Sequence, residues 1–295
     1  MSKYIYQYAN WPNFSWDNAH IQIILGKVRH LQGQIMGRMG SFGFSIKEEA
    51  VLETLTTDVV RSSQIEGEVL DPAQVRSSIA TRLGINLEDT VSSNRDVDGI
   101  VEMLLDATQN YQCELTNERL FDWHASIFPT GRSGMVKIET GKYRSGVMQV
   151  VSGPMGKETV HFTAPPHDIV EGEMNQFLLW VNSNNSIDSV LKSAIAHLWF
   201  IIIHPFDDGN GRIARAISDM LLARSDNSPN RFYSLSNQIL KERKIYYETL
   251  QGVQHSEGDI TIWIDWYLNC LYRSLIETEN TTGKIVFKSE FWDKH

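Results

Sequence analysis

Cysteine is scarce: Cys113 and Cys270 are the only two in 295 residues, far apart in the chain. That excludes the disulfide framework that staples small secreted domains, and it leaves a reducing cytoplasm as the simplest compartment. Positive charge is also short, with 27 Lys and Arg against 36 Asp and Glu and a formal net charge of −9. A surface built for nucleic acid needs the opposite excess, so no nucleic-acid partner is expected. A local basic pocket stays compatible with that balance. Long apolar runs are missing as well. The apolar stretch Leu198 to Ile203 falls far short of the roughly 20 residues a membrane helix requires. The first residues carry Tyr, Gln, Asn and Trp rather than a basic and then apolar leader. The expectation is a cytoplasmic protein without a membrane partner. There is no internal repeat and no low-complexity linker. What remains is 42% hydrophobic and 21% charged, an ordinary composition with enough apolar residues for a large core.

Hydrophobic spacing predicts a mostly helical chain. Asp17 caps a helix to Met39, with Ile21, Ile24, Leu25, Val28, Leu31 and Ile35 on one face. Further helices are expected over 46–66, from Asp71-Pro72 by the cap-then-proline rule, and over 96–111, 117–128 and 169–182. Two more flank residue 207, and others cover 236–256 and 260–279. Residues 1–45 read as an N-terminal helical module, 46–280 as the core, and 281–295 as a C-terminal tail ending in Phe287, Phe291 and Trp292. One sheet signal stands out. Val147 to Val151 and Thr159 to Thr163 are β-rich runs around Ser152-Gly153-Pro154-Met155-Gly156, which predicts a hairpin.

The densest chemistry lies in His204-Pro205-Phe206-Asp207-Asp208-Gly209-Asn210-Gly211-Arg212-Ile213-Ala214-Arg215. A capped apolar helix starting near Asp188 precedes it, and Pro205 must end that helix. A second helix starts near Gly209 to Gly211. A helix start leaves amides unpaired and carries partial positive charge, and glycines let an anion approach the backbone closely. Arg212 and Arg215 add forked donors suited to phosphate oxygens. Asp208 is a hard oxygen ligand suited to Mg²⁺ bridging phosphates. His204, with an unperturbed pKa of about 6.5, suits a general base. Taken singly, each has a plainer reading: a capping histidine, a turn, a solvated helix face. Their conjunction in twelve residues is what favours a triphosphate site. His197, seven positions before His204, could share a helix face as a metal pair, but no third ligand is well placed.

This segment resembles the Fic family signature, His-Pro-Phe-x-(Asp/Glu)-Gly-Asn-Gly-Arg-x-x-Arg, at every specified position. The resemblance extends over roughly residues 50–275, and Tyr4 to Trp16 resemble the N-terminal region of one bacterial Fic subgroup. It implies an all-α Fic fold with a small β-hairpin flap. It also implies transfer of AMP from ATP to a Ser, Thr or Tyr hydroxyl of a target protein, the chain itself included. His204 would deprotonate the hydroxyl and Asp208 would hold Mg²⁺. Asp207, Asp208, Gly209, Asn210, Gly211, Arg212 and Arg215 would form the ATP site. Phosphotransferase members have Lys where this chain has Gly211, so the resemblance favours AMP transfer over kinase chemistry.

Upstream, Ser62-x-x-x-Glu66-Gly67 resembles the family's inhibitory motif. Ser62 and Glu66 share a helix face, and Gly67 is a helix-stop residue. By resemblance, Glu66 pairs with Arg215 and denies it to the γ-phosphate. In the same family the hairpin is a flap that docks the target by main-chain pairing. Val147, Gln149, Val151, Val160 and Phe162 would belong to that docking edge. Tyr246 and Tyr247 match a helix lining the nucleoside pocket, and spacing does not choose between them. Two other functions fit the same residues: removal of AMP from a modified hydroxyl, or a non-catalytic nucleotide-sensing module. Aromatic clusters on helical surfaces suggest a homodimer.

Overall fold

Asp17 opens the first helix. Its carboxylate accepts the His20 amide at 3.0 Å, which satisfies one of the orphan donors of a helix start. Helix α1 (Asn18–Gly40) then buries Ile21, Ile24, Leu25, Val28, Leu31 and Ile35 on one face, as the spacing predicts. A computed structural model describes residues 3–152, 157, 159–184 and 186–293, with the backbone alone for 152 and 281–293. The hairpin turn over 153–156 lies outside the described residues, as do the side chains of Phe287, Phe291 and Trp292.

Helix α2 (Phe44–Ile65) stops where Gly67 takes a φ of 88°. Helix α3 (Pro72–Leu83) is capped by Asp71, which accepts the Ala73 amide at 2.9 Å, and closes on Gly84. Helices α4 (Arg95–Gln109) and α5 (Asn117–Ile127) follow. A two-residue strand pair comes next, β1 (Arg132–Ser133) with β2 (Val136–Lys137), too short to leave a period in the sequence. The expected hairpin forms from β3 (Gln149–Ser152) and β4 (Thr159–Thr163), antiparallel, with a bulge beside Val150 and Val151. Then come α6 (Val170–Asn182), α7 (Ser189–Ile203) and α8 (Asn210–Asp226). Every residue of α7 after Ser189 is buried, and α8 packs along it as the central pair.

The predicted single helix over 236–256 is two, α9 (Leu235–Lys241) and α10 (Arg243–Val253). They break at Glu242, whose backbone leaves the helical region at φ −110° and ψ 21°. Its carboxylate is gripped by Arg273 Nε and Nη2 at 2.6 Å each. Arg273 belongs to the last helix, α11 (Thr261–Asp293), which continues through much of the segment read as a tail. Among the described residues the fold is therefore all-α, eleven helices with two small antiparallel strand pairs. One connected apolar core runs from Ile5 to Leu275, so α1 shares it rather than standing apart. No described helix is long and apolar enough to cross a membrane.

Candidate active site

The junction between α7 and α8 carries the site. His204 ends α7 in the left-handed region, φ 51° and ψ 60°, which histidine tolerates better than bulkier residues. That turn lets Pro205 leave the helix axis. The His204 Nδ1 lies 3.2 Å from the Ile201 carbonyl, which can only accept, so Nδ1 carries the proton and Nε2 is the basic nitrogen. Burial pushes the ring down to about 4, and Arg144 adds to that. The Ile201 hydrogen bond, Glu66 and Asp208 act in the raising direction. The imidazole is thus neutral at physiological pH, as a base must be.

The loop is held rigidly. Phe206 is fully buried and stacks on His124, with centroids 4.2 Å apart and planes 11° apart. The Asn210 side chain zips the loop shut: Oδ1 accepts the Phe206 amide at 3.0 Å and Nδ2 donates to the Phe206 carbonyl at 2.8 Å. Gly209 sits at φ 80°, and a Cβ there would lie 2.7 Å from Ile127 Cδ1. Two residues that sequence reasoning missed complete the support. His124 donates from Nε2 to the Asp208 carbonyl and accepts the Gly141 amide on Nδ1, and burial pushes it down to about 4. Arg144 receives carbonyls from both sides. Its Nε donates to His204 at 2.8 Å and its Nη2 to Pro165 at 2.6 Å, while its amide donates to Pro205 at 2.9 Å. A guanidinium satisfied by main-chain oxygens has no acidic partner in the sequence to betray it.

The acidic residues of the loop divide. Asp207 turns to the main chain and accepts the Glu139 amide at 2.9 Å. Asp208 accepts the Gly209 amide and the Ser133 hydroxyl, so the unpredicted β1 strand supplies a partner for the candidate metal ligand. Among the described residues no group of three or more His, Cys, Asp or Glu forms a metal cage. One carboxylate at the edge of a cavity fits magnesium, which takes most of its ligands from phosphates and water.

The two arginines are already engaged. Arg215, 2% exposed, donates Nε to Ser62 Oγ and Nη2 to the Ser62 carbonyl, both at 2.8 Å, and Nη2 pairs with Glu66 Oε1 at 2.8 Å. Arg212 pairs with Glu68 at 2.6 Å and lies over the Phe128 ring. Gly67, at its positive φ, turns the chain so that the carboxylates on either side of it each reach one arginine. Glu68 is a further residue the sequence reading did not assign.

His204, Asp207, Asp208, Asn210, Gly211 and Glu66 all line one cavity of about 1160 Å³. The flap contributes Gln149, Val151 and Phe162 to its lining, and α10 contributes Arg243, Tyr246 and Tyr247. The tyrosines separate clearly. Tyr246 is 2% exposed and donates to His197 Nε2 at 3.0 Å, and His197 Nδ1 donates to Ser218 at 3.0 Å. His197 is therefore a core histidine, pushed down to about 3 by burial, and not half of a metal pair. Tyr247 is 38% exposed at the cavity, with Arg243 over its ring. On the flap, Val147, Gln149, Val151 and Val160 are exposed. Phe162 is fully buried, so its side chain anchors the hairpin instead of meeting a target.

Residues 114–222 match the model of the Fic/DOC family, and residues 4–85 match a domain of unknown function (DUF4172). The chain carries a Fic/DOC family domain and is all-α in the manner of that fold. It is similar to a protein adenylyltransferase Fic of Nematostella vectensis, 26% identical over 273 residues, covering 87% of this chain and 58% of that one. A protein adenylyltransferase Fic of Aedes aegypti is 31% identical over 235 residues, covering 77% of this chain and 42% of that one. The chain thus spans about half the length of these curated relatives. Among solved structures it resembles a Fic family protein from Desulfovibrio desulfuricans G20, with a TM-score of 0.66 and 24% identity, covering 92% of this chain and 77% of that one. It also resembles Fic-1 from C. elegans, with a TM-score of 0.62 and 20% identity, covering 89% and 74% respectively.

Proposed function

We propose that the chain is a protein adenylyltransferase restrained by its own Glu66. The observation that carries this reading is the Glu66 carboxylate itself. It lies over the start of α8 and bonds Arg215, so an internal anion occupies the position a phosphate would take. His204 stands on the same cavity with its basic nitrogen unprotonated.

In the reaction, the target hydroxyl oxygen bonds to the α-phosphorus of ATP, pyrophosphate leaves, and His204 Nε2 takes the hydroxyl proton. The amides at the start of α8, with Arg212 and Arg215, hold the triphosphate in line, so positioning and charge stabilisation supply most of the rate. Magnesium held by Asp208 would neutralise phosphate charge. The nucleobase would lie against Tyr247. A target segment would add to the open edge of the flap, a mode tolerant of sequence and compatible with modification of the chain itself. Relief of the brake requires Glu66 to leave Arg215, because a γ-phosphate and a carboxylate repel across one guanidinium. The composition supports a cytoplasmic setting.

The test is label transfer. Glu66→Gly should incorporate α-labelled AMP into protein well above the wild type, with no incorporation from γ-labelled ATP. Adding His204→Ala should abolish it. Loss of activity in Glu66→Gly would instead favour AMP removal, with Glu66 as a participant. Transfer from γ-labelled ATP would make the chain a kinase.

A further inference from the structure

Among the described residues, one short piece of chain touches two sides of the cavity. The flap strand β4 is one of these and the end of α10 the other. Between them runs a single 3₁₀ turn, Ile5–Gln7, inside the stretch that matches a domain of unknown function. Tyr6 donates its hydroxyl to the Thr163 carbonyl at 3.0 Å, at the base of β4. The rings of Tyr4 and Tyr6 meet Phe162 edge-on, at 5.0 and 6.1 Å. On the other side, the Ile5 amide donates to the Gln254 carbonyl at 2.8 Å, and the Tyr4 ring lies 4.9 Å from His255. Gln254 and Phe162 both line the cavity, so the turn touches its lining at both places. Ile5 is 1% exposed and belongs to the core, which fixes the turn in place.

A two-stranded hairpin is barely stable alone and needs packing against something else. Here that packing centres on Phe162, with Met148 and Val150 partly buried against the core beside it. Phe162 is fully buried while Val151 and Val160 on the same hairpin are about half exposed, at 47% and 46%. The flap therefore keeps its height above His204 through its root, and its root is gripped by Tyr4, Tyr6 and Arg144. We infer that Tyr4 and Tyr6 form a hasp that sets the distance between the flap edge and α10, which makes them positioning residues for the docked acceptor segment. The inference that an acceptor docks there rests on the adenylyltransferase reading; the mechanical part does not.

The variants are Tyr6→Phe, which deletes one hydrogen bond and keeps the ring, and Tyr4→Leu/Tyr6→Phe, which keeps an apolar contact and removes the edge-on tyrosine. Amide hydrogen exchange reads the mechanical claim. Exchange across 149–152 and 159–163 should quicken roughly tenfold in the double variant, while α7 and α8 stay unchanged. Unchanged flap exchange would overturn the hasp, and so would a uniform rise through the core. In a Glu66→Gly background, α-labelled AMP incorporation should fall several-fold while magnesium-ATP affinity by calorimetry holds. Faster flap exchange with undiminished incorporation would leave the flap height irrelevant and overturn the positioning role. If Glu66→Gly alone incorporates no label, the adenylyltransferase reading has failed, and exchange alone decides the hasp.

Discussion

A Glu66 carboxylate oxygen lies 2.0 Å from the point where a Cβ on residue 211 would stand. Only glycine at 211 admits this pose of the inhibitory side chain. The same glycine opens the first turn of α8 to an anion, so one missing methyl group serves both the brake and the cradle.

The two positions should therefore be coupled energetically. In a Glu66→Gly background, Gly211→Ala removes a flexible residue from a helix and should stabilise by up to about 0.5–1 kcal/mol, less the cost of Arg215 Nη1, 3.2 Å from the new Cβ, giving way. With Glu66 present, the new methyl drives the carboxylate off Arg215 and the gain is offset. Chemical denaturation of the four proteins should give a coupling term on the order of 1 kcal/mol. Simple additivity would mean that Glu66 does not occupy that space in solution.

Much of this site is legible in the sequence for a physical reason. His204 to Arg215 lie within twelve consecutive positions on a helix–loop–helix, so their spacing alone brings them together. The caps at Asp17, Asp71 and Asp188 and the stop at Gly67 act locally and read just as directly. The rest depends on long-range contacts. Arg144 and His124 bind main-chain atoms of the loop from 60 or more residues away, and any residue can supply a carbonyl. The break at Glu242 depends on Arg273, 31 positions later. Tyr246 and Tyr247 are adjacent on one helix and differ only in which face the core covers.

Glu68 should act as a second brake, competing with the triphosphate for Arg212. Its carboxylate pairs with Arg212 at 2.6 Å, though Glu68 is itself 40% exposed, so solvent weakens the pair. At the value of exposed pairs, about 0.5–1 kcal/mol, Glu68→Ala should tighten magnesium-ATP binding roughly two- to five-fold by calorimetry. The Arg212 contact with Phe128 keeps the guanidinium in place in the variant. Equal affinity in variant and wild type would remove Glu68 from the brake.

The helix that carries Glu66 is also fastened lower down by a buried carboxyl. Asp58 of α2 accepts the Ser234 hydroxyl at 2.5 Å and faces Asp219 of α8, itself paired with the fully buried Arg231 at 2.9 Å. Burial first, and then the Asp219 charge, push Asp58 from the ordinary 3.8 up to about 8, against the opposing pull of Arg231 and Ser234. An unfolded aspartate has lost its proton by about pH 5, whereas burial raises both Asp58 and Asp219 in the fold, Asp58 to about 8, so the pair shares a proton through that window. Folding across that window takes up a proton, so this pair lowers stability as pH rises, by up to ~1.4 kcal/mol per pH unit, and adds no further slope above pH 8. Asp58→Asn has the same shape, can still hydrogen-bond Ser234, and does not titrate. Denaturation midpoints of wild type and variant should therefore diverge in the variant's favour from pH 5 to pH 8 and then run parallel. The depressed histidines His124, His197 and His204 act in the opposite direction, but equally in both proteins, so they cancel in the difference. Parallel curves through the whole range would show that the Asp58–Asp219 pair holds no proton above pH 5, and the contact between α2 and α8 would then be a charged cluster held by Arg231.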